Sequence, residues 1–338
     1  MRLKAFIDPI KYGVATGRIK VLENKLFSRH RVERLVEADD FSDQLRILAE
    51  TDYGGFFENV RTIDDIEEAL HKYLAKVYDF LDELTRERNI ISFFRLRYDF
   101  HNLKVILKTK YKQETREHIW SHLGLLDVPR ARDLIEQGMV DELPEVYRQA
   151  VKEAMHRFEE ERDSQQIDIV LDGELYKLLH GLAVSQRNDF LQDLVKIFID
   201  LGNIKTFLRA KNLGRKKDFI SQALFDNGSI DREIFIALYE EPLDSLLERL
   251  KNTPHAELLR AVFREEKKVD LSTFDKLVDN FVLNHAKKAK YVPVGLEPIV
   301  GYILAKESEV NMVRVILTGR LNNVPRDKIR ERIRDLYV

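Results

Sequence analysis

A twelve-residue segment occurs three times in this chain of 338 residues, at intervals of roughly a hundred residues. Each copy begins with an acid, has a base five positions later, and continues with an apolar triplet and a second base. The copies are Asp99–Lys110 (DFHNLKVILKTK), Asp200–Lys211 (DLGNIKTFLRAK) and, more loosely, Glu309–Arg320 (EVNMVRVILTGR). Repeats of this kind are similar structural units that bury apolar surface against one another. We therefore expect three similar units of about 100 residues, stacked or arranged around an axis.

The elements of these units are predicted to be helices. Glycine and proline are scarce, with 14 and 8 residues, while 34% of the chain is charged. A β-sandwich or barrel needs turn residues every ~8–12 positions. Apolar residues from Ile66 to Leu84 recur every three or four positions, behind a capping box of Thr62 and Asp65. The same spacing occurs over residues 190–211, and no segment alternates with period two, so the predicted fold class is all-α.

Composition and motifs exclude several classes of function. The net charge of −2 provides no overall basic field for nucleic acid, and without cysteine the chain has no disulfide, thiolate zinc site or cysteine nucleophile. Neither of the common phosphate-binding loops occurs, nor do the hydrolase motifs Gly-x-Ser-x-Gly and His-Glu-x-x-His. No signal peptide is visible, and no apolar stretch reaches the ~20 residues that span a bilayer. We expect a soluble monomer without catalytic residues, cofactor or small-molecule substrate.

One group of residues has the spacing of metal ligands. His118 and His122 lie four positions apart on a predicted helix, and Glu114 lies one turn earlier. A catalytic zinc site needs three protein ligands and a supporting second layer of hydrogen bonds. Surface histidines on a charged helix explain the same residues, so we expect no metal site.

Two short segments are locally basic, Gly214–Lys217 and His285–Lys290. At helix ends such charges complement the helix dipole. They could instead contact anionic lipid headgroups or a partner protein. A nucleic-acid patch would need interleaved aromatic residues as well.

Several segments of the chain, taken in order, carry a resemblance that covers nearly its whole length. They are Arg18–Leu26, Glu50–Gly54, Tyr98–Lys104, Asn203–Lys205 and Glu297–Glu309, the last leading to Arg314. Together they resemble the C subunit of the V/A-type rotary ATPases, the family that includes the d subunit of the eukaryotic vacuolar ATPase. One departure is Met312, which stands where the first two copies have Asn102 and Asn203. A polar role of this asparagine therefore cannot be strictly threefold.

The resemblance implies a pseudo-threefold, funnel-like arrangement of helical units at residues 1–113, 114–213 and 214–338, with approximate boundaries that leave exchange of helices between units open. It also implies a non-catalytic coupling subunit on the cytoplasmic face of the membrane. This protein would join the D and F subunits of the central stalk to the proteolipid rotor ring, and transmit torque for ATP-coupled proton or sodium transport. Two rival functions stay open, a helical-repeat adaptor for nucleic acid and a metal-dependent hydrolase.

The repeated bases Lys104, Lys205 and Arg314 are the candidate partner-binding residues. Residues five positions apart on a helix point in different directions, so Asp99 and Lys104 are not a favoured pair within one helix. Each base therefore either pairs with an acid from a neighbouring unit or lines a shared surface that faces a partner.

Overall fold

The computed structural model describes residues 9–85, 88–112, 120–263 and 271–338. All regular structure in these ranges is helical, which confirms the predicted all-α class. The α-helices are α1 (Pro9–Glu23), α2 (Arg29–Glu37), α3 (Phe41–Ala49), α4 (Ile63–Thr85), α5 (Arg88–Lys112), α6 (Val128–Glu136), α7 (Glu145–Glu161), α8 (Gln165–Ser185), α9 (Asp189–Asn212), α10 (Lys217–Ala223), α11 (Arg232–Ala237), α12 (Leu243–Leu250), α13 (Ala256–Phe263), α14 (Leu271–Lys287), α15 (Glu297–Leu321) and α16 (Arg326–Arg332). Short 3-10 turns occur at Gly54–Phe56, Val140–Glu142 and Lys288–Tyr291.

The helix predicted from Thr62 onward is α4, and it begins with the predicted capping box. The Asp65 N–H donates to the Thr62 hydroxyl oxygen at 3.1 Å, and Asp65 Oδ2 accepts the Thr62 N–H at 2.8 Å. The same carboxylate oxygen accepts the N–H of Arg61 at 2.9 Å. These bonds satisfy backbone donors that the first turn of a helix leaves without an intrahelical partner. The buried face of α4 then includes Ile66, Leu70, Tyr73, Leu74, Tyr78 and Leu81.

Neutralising Asp65 is expected to destabilise the protein near neutral pH but not in strong acid. Hydrogen bonds from the backbone of Arg61 and Thr62 lower the pKa of Asp65 below its ordinary value of 3.8. A carboxyl whose pKa is depressed by folding contributes stability above its unfolded pKa, and this contribution is lost as the pH falls through the folded pKa. Urea unfolding of the wild type and Asp65→Asn at neutral pH and below pH ~3 measures the difference. A stability gap that persists unchanged in acid would contradict this role of Asp65.

One compact unit of the chain consists of residues 87–207 and 215–236. Within it, α8 packs along both α5 and α7, and α6 packs against α5. The side of α5 that faces these helices is apolar, with Phe94, Phe100, Leu103 and Leu107 fully buried. The first repeat copy is therefore part of the core of this unit.

The other compact unit consists of residues 1–86, 208–214 and 237–338. Its central helix is α15, which packs against α1, α3, α4, α14 and α16. Every residue from Pro298 to Lys306 is buried, whereas a surface helix would expose one polar face. The enclosure of α15 explains why this part of the sequence is apolar on all sides of the helix.

The boundary between the two units runs through α9. Its residues up to Phe207 belong to the unit of residues 87–207 and 215–236, and its last residues belong to the other unit. The three units at 1–113, 114–213 and 214–338 and their pseudo-threefold arrangement stay predictions. Across the described ranges, no helix has the length and apolar character needed to cross a membrane.

Candidate partner-binding site

Lys104 lies on α5 and forms an ion pair with Asp172 on α8. One turn further along α5, Lys108 Nζ is 2.6 Å from Asp168 Oδ2, so two ion pairs join these antiparallel helices. The side chains of Lys104 and Asp172 are still 21% and 31% exposed. Burial raises the pKa of Asp172, and the positive charge of Lys104 opposes this rise. Lys104 is thus paired within the fold but partly accessible to solvent.

Arg314, the equivalent base of the third copy, joins α15 to α4. Its Nε lies 2.8 and 2.9 Å from the two carboxylate oxygens of Glu67, and another guanidinium nitrogen donates to Asn311. The two charged side chains are about one-third exposed, at 30% for Arg314 and 35% for Glu67. Arg314 therefore resembles Lys104 in both its pairing and its exposure.

Lys205, the base of the second copy, lies half-buried on α9, five residues after Asp200. Lys104 and Arg314 each pair with an acid on a different helix of the same compact unit. Their residual exposure leaves room for a partner to reach them. The role of the three bases in binding a partner stays a prediction.

The repeated asparagines, Asn102 on α5 and Asn203 on α9, hold the loops that follow α5 and α10. Asn102 accepts the Ser121 N–H through Oδ1 and donates from Nδ2 to the Ser121 carbonyl oxygen, both at 2.8 Å. Asn203 makes the same two bonds with Phe225, at 2.9 and 2.8 Å. Both asparagines are fully buried, as is Met312 at the equivalent position of the third copy. The asparagine is thus structural in two copies, in agreement with the prediction that its role is not threefold.

Asp99, the first acid of the repeat, fixes a second part of the loop after α5. Its Oδ1 accepts the N–H groups of Leu125 and Leu126 at 2.7 and 2.8 Å. Its Oδ2 accepts the Tyr147 hydroxyl group at 2.7 Å. Burial raises the pKa of Asp99, and these three hydrogen bonds oppose the rise. Both oxygens of the Asp99 carboxylate therefore accept hydrogen bonds from within the fold.

Asp200 has the same function in the second copy. It accepts the N–H groups of Ser229 and Ile230 at 3.2 and 3.0 Å, and the Ser229 hydroxyl group replaces the tyrosine as third donor. Asp99 and Asp200 are both fully buried. The similarity of the two copies in sequence therefore reflects a similar set of contacts rather than chance.

Alanine at Gly124 or Gly228 is expected to lower the free energy of unfolding by about 1–3 kcal/mol. A Cβ atom at these positions would lie 2.0 Å from Asp99 Oδ1 and 2.3 Å from Asp200 Oδ1. Neither carboxylate can turn away without losing its hydrogen bonds to the loop. Gly181 on α8 is the matched control, because a Cβ there meets no atom within 4 Å and alanine is expected to stabilise the helix by ~0.5–1 kcal/mol. If Gly124→Ala and Gly228→Ala unfold at the same temperature as the wild type, the carboxylates of Asp99 and Asp200 are not held in place.

A buried polar cluster around Glu309 was not predicted from the sequence. Lys306 Nζ lies 2.8 Å from Glu309 Oε1 and 2.8 Å from the Tyr73 hydroxyl oxygen. The Tyr53 hydroxyl group donates to Glu309 Oε1 at 3.0 Å, and the Phe27 N–H donates to Oε2 at 2.6 Å. Burial and the charge of Glu309 raise the pKa of Tyr53 and of Tyr73. The only signal in the sequence was a lysine and a glutamate three positions apart in an apolar segment.

The possible metal ligands do not form a site in the part of the chain that is described. Glu114 and His118 lie outside the described residues, and His122 is exposed. Within the described ranges, no group of three His, Cys, Asp or Glu residues is arranged to hold a metal ion.

The two basic segments lie at helix ends. Gly214–Lys217 joins α9 to α10, and Gly214 has the positive φ of 61° that glycine favours. His285–Lys290 covers the end of α14 and the following 3-10 turn, where positive charge complements the helix dipole. Lys290 Nζ donates to the Tyr337 carbonyl oxygen at 3.2 Å. The position of His285–Lys290 agrees with a structural role, whereas Lys216 and Lys217 lie at the start of α10, where positive charge does not complement the dipole.

Comparison with known proteins identifies the family. The family model described as ATP synthase (C/AC39) subunit matches residues 15–332. The V-type sodium ATPase C subunit of Enterococcus hirae is 26% identical over 328 residues, which cover 97% of this chain and 99% of that protein. The A-type ATP synthase C subunit of Methanocaldococcus jannaschii is 25% identical, covering 97% and 87%. That of Thermococcus gammatolerans is 27% identical, covering 95% and 89%.

The family model and these relatives extend across nearly all of the helices described above. The match is therefore to the whole architecture rather than to one motif. This chain belongs to the ATP synthase (C/AC39) subunit family, whose members are non-catalytic subunits of V/A-type ATPase complexes.

Proposed function

We propose that this chain is the coupling subunit of a V/A-type rotary ATPase. It is a socket on the cytoplasmic face of the membrane that joins the D and F subunits of the central stalk to the proteolipid ring and transmits torque between them. The observation that carries this proposal is the near-complete match to the C subunits of both a sodium ATPase and ATP synthases. We do not assign the coupled ion, because sodium is named for the Enterococcus hirae complex and not for the ATP synthases reported above.

The way the helices are joined supports a mechanical role. Ion pairs connect α5 to α8 and α15 to α4, and buried acids hold the loops that follow α5 and α10. A part that transmits torque must resist deformation, and close-packed interiors have low compressibility and transmit strain. These contacts fix helices and loops, as expected of a part with a coupling role.

Charge reversal at Lys104 or Arg314 tests the contact with the stalk. Lys104→Glu and Arg314→Glu are each expected to weaken binding to purified D–F stalk at least tenfold, by ~1.4 kcal/mol or more. They should lower the free energy of unfolding by only about 1 kcal/mol, because the ion pairs that they break are partly exposed. Lys205→Glu is expected to weaken binding similarly. Titration of the purified stalk in a calorimeter, together with urea unfolding, measures both quantities.

Lys177→Glu is the matched control, since Lys177 is 70% exposed on α8 and forms its ion pair with Glu174, one turn away on the same helix. It is expected to leave stalk affinity and stability unchanged. Wild-type affinity of all three test variants would contradict the assignment of these bases to the stalk interface. If the wild-type protein does not co-purify with the stalk at all and instead releases RNA at high salt, the coupling role is wrong and the nucleic-acid adaptor is favoured.

A further inference from the structure

In the first repeat copy, the two ends of the twelve-residue segment hold the two ends of one short helix. Asp99 accepts the N–H of Leu126, which directly precedes Asp127, the N-cap of α6. Lys110, eleven positions after Asp99, lies at 2.6 Å from the carbonyl oxygen of Ile135 near the end of α6. The acid thus fixes the start of α6, and the second base fixes its end.

The second copy repeats this arrangement with α11. Asp200 accepts the N–H of Ile230, which directly precedes Asp231 and the start of α11. Lys211, again eleven positions later, donates to the carbonyl oxygen of Glu241 in the segment between α11 and α12. In both copies the held groups lie within 30 residues of the acid or base that holds them, although α10 intervenes between α9 and α11 in the second copy.

The third copy makes both contacts with a segment from the opposite part of the chain. Glu309 accepts the N–H of Phe27, which directly precedes Ser28, the N-cap of α2. Arg320, eleven positions after Glu309, donates to the carbonyl oxygen of Ala38, just after α2. Each contact joins residues that are 282 positions apart. The acid and the second base of α15 therefore bind backbone groups on either side of α2. The corresponding residues of α5 bind backbone groups at the two ends of α6, and those of α9 bind the segment that contains α11.

The residues that directly follow α15 do not take this place. They form α16, which packs against the outside of α2, where Arg330 Nε lies 3.3 Å from Glu33 Oε2. A second arginine of α16, Arg326, adds a hydrogen bond of 2.9 Å to the Ala38 carbonyl oxygen. Therefore α2 is held from two sides by the late part of the chain.

We propose that residues 24–38, which we call the clasp, occupy in the third repeat the place that a later segment of the chain occupies in the first two. The clasp is held at its two ends by Glu309 and Arg320. In the first two copies a released loop stays tethered by a short stretch of chain. In the third copy the held segment and its long helix are separated by almost the whole sequence, and the entropic cost of closing a loop grows with its length. The clasp is therefore the joint at which this unit opens first.

The contacts of the clasp contain a reinforcement that the other two copies lack. Three positions before the acid, the first and second copies have Leu96 and Ile197, whereas the third has Lys306. The ion pair between Lys306 and Glu309 is almost completely buried, with side-chain exposures of 2% and 4%. The buried ion pair therefore occurs in the repeat copy whose held segment is far away along the chain, where stronger contacts compensate for the missing short connection.

Hydrogen exchange on the isolated full-length protein tests the clasp, independently of stalk binding. In the wild type, the amide of Phe27 is expected to be protected. In Glu309→Gln, exchange over residues 24–38 should accelerate at least tenfold, and more than in the rest of its unit. The reason is that one amide oxygen cannot replace both the oxygen that accepts from Phe27 and the oxygen that accepts from Tyr53 and Lys306. The matched control is Asp99→Asn, in which Oδ1 still accepts both loop N–H groups. Exchange over residues 121–136 should then change less than threefold.

An unprotected Phe27 in the wild type would overturn the proposal, and so would equal acceleration throughout the unit in Glu309→Gln. If Glu309→Gln does not fold, the double variant Arg320→Gln/Arg326→Gln removes both donors to the Ala38 carbonyl oxygen and leaves the buried ion pair intact. Its exchange should accelerate over residues 24–38, whereas Lys110→Gln should affect only the end of α6. Wild-type exchange in the double variant would also overturn the clasp.

Discussion

Replacement of Lys306 by methionine is expected to lower the free energy of unfolding by about 3–5 kcal/mol. Methionine fills a similar volume, so the packing of α15 is kept while Glu309 loses the cation at 2.8 Å. An uncompensated charge is then left where the side chain is only 4% exposed. Breaking one side of a buried pair costs more than the net contribution of the pair, because the remaining charge stays desolvated.

The control for this variant is Lys328→Met on α16. Lys328 and Glu331 have the same order and spacing as the buried pair, but their side chains are 63% and 60% exposed. Exposed pairs contribute ~0.2–1 kcal/mol at most, so this variant should unfold close to the wild type in urea. If Lys306→Met and Lys328→Met lose similar amounts of unfolding free energy, burial of the ion pair is not what makes Lys306 important. The double variant Lys306→Met/Glu309→Gln is expected to recover part of the loss, because it buries no net charge.

Replacement of Asp99 by leucine is expected to cost about 3–5 kcal/mol of unfolding free energy, since it removes the acceptor for the buried Tyr147 hydroxyl group and for two partly buried N–H groups. Leucine has nearly the same shape but leaves the N–H groups of Leu125 and Leu126 and the hydroxyl group of Tyr147 unpaired. Each unsatisfied buried group costs about 1–3 kcal/mol. Chemical denaturation followed by far-ultraviolet circular dichroism measures the loss.

Asp99→Asn separates hydrogen bonding from charge at this position. Asparagine keeps Oδ1, which accepts both backbone N–H groups, and its amide can donate to Tyr147 if the hydroxyl hydrogen rotates away. Because burial raises the pKa of Asp99, the neutral side chain also avoids the cost of burying a charge. We expect this variant to lie within about 1 kcal/mol of the wild type. A loss as large as that of the leucine variant would show that the negative charge, rather than the hydrogen bonds, is needed.

The helices and their caps could be predicted because the signals for them are local. The periodic pattern over residues 190–211 corresponds to α9, Asp189–Asn212, and the predicted box of Thr62 and Asp65 caps α4. A helix buries the residues that recur every three or four positions, and a cap binds N–H groups within its own first turn. Neither depends on distant parts of the chain.

The candidate site was only partly predictable. The repeat directed attention to Lys104, Lys205 and Arg314, and the first and last of these have acids on other helices as partners. The second bases of the repeat, Lys110 and Arg320, received no role, although they hold backbone carbonyl oxygens. Every residue has a carbonyl group, so no pattern of side chains marks the one that a given lysine or arginine will bind.

The sequence by itself thus determined the all-α class, the repeat and the resemblance to the V/A-type ATPase family. Only the tertiary structure decided which segment each repeat copy holds. Asp99 and Asp200 hold loops within 30 residues of them along the chain, whereas Glu309 holds Phe27, 282 positions away. The physical reason is that these bonds join a side chain to backbone groups that are alike in every residue. Which backbone group is used depends on how distant helices pack, and that packing is settled only when the whole core forms.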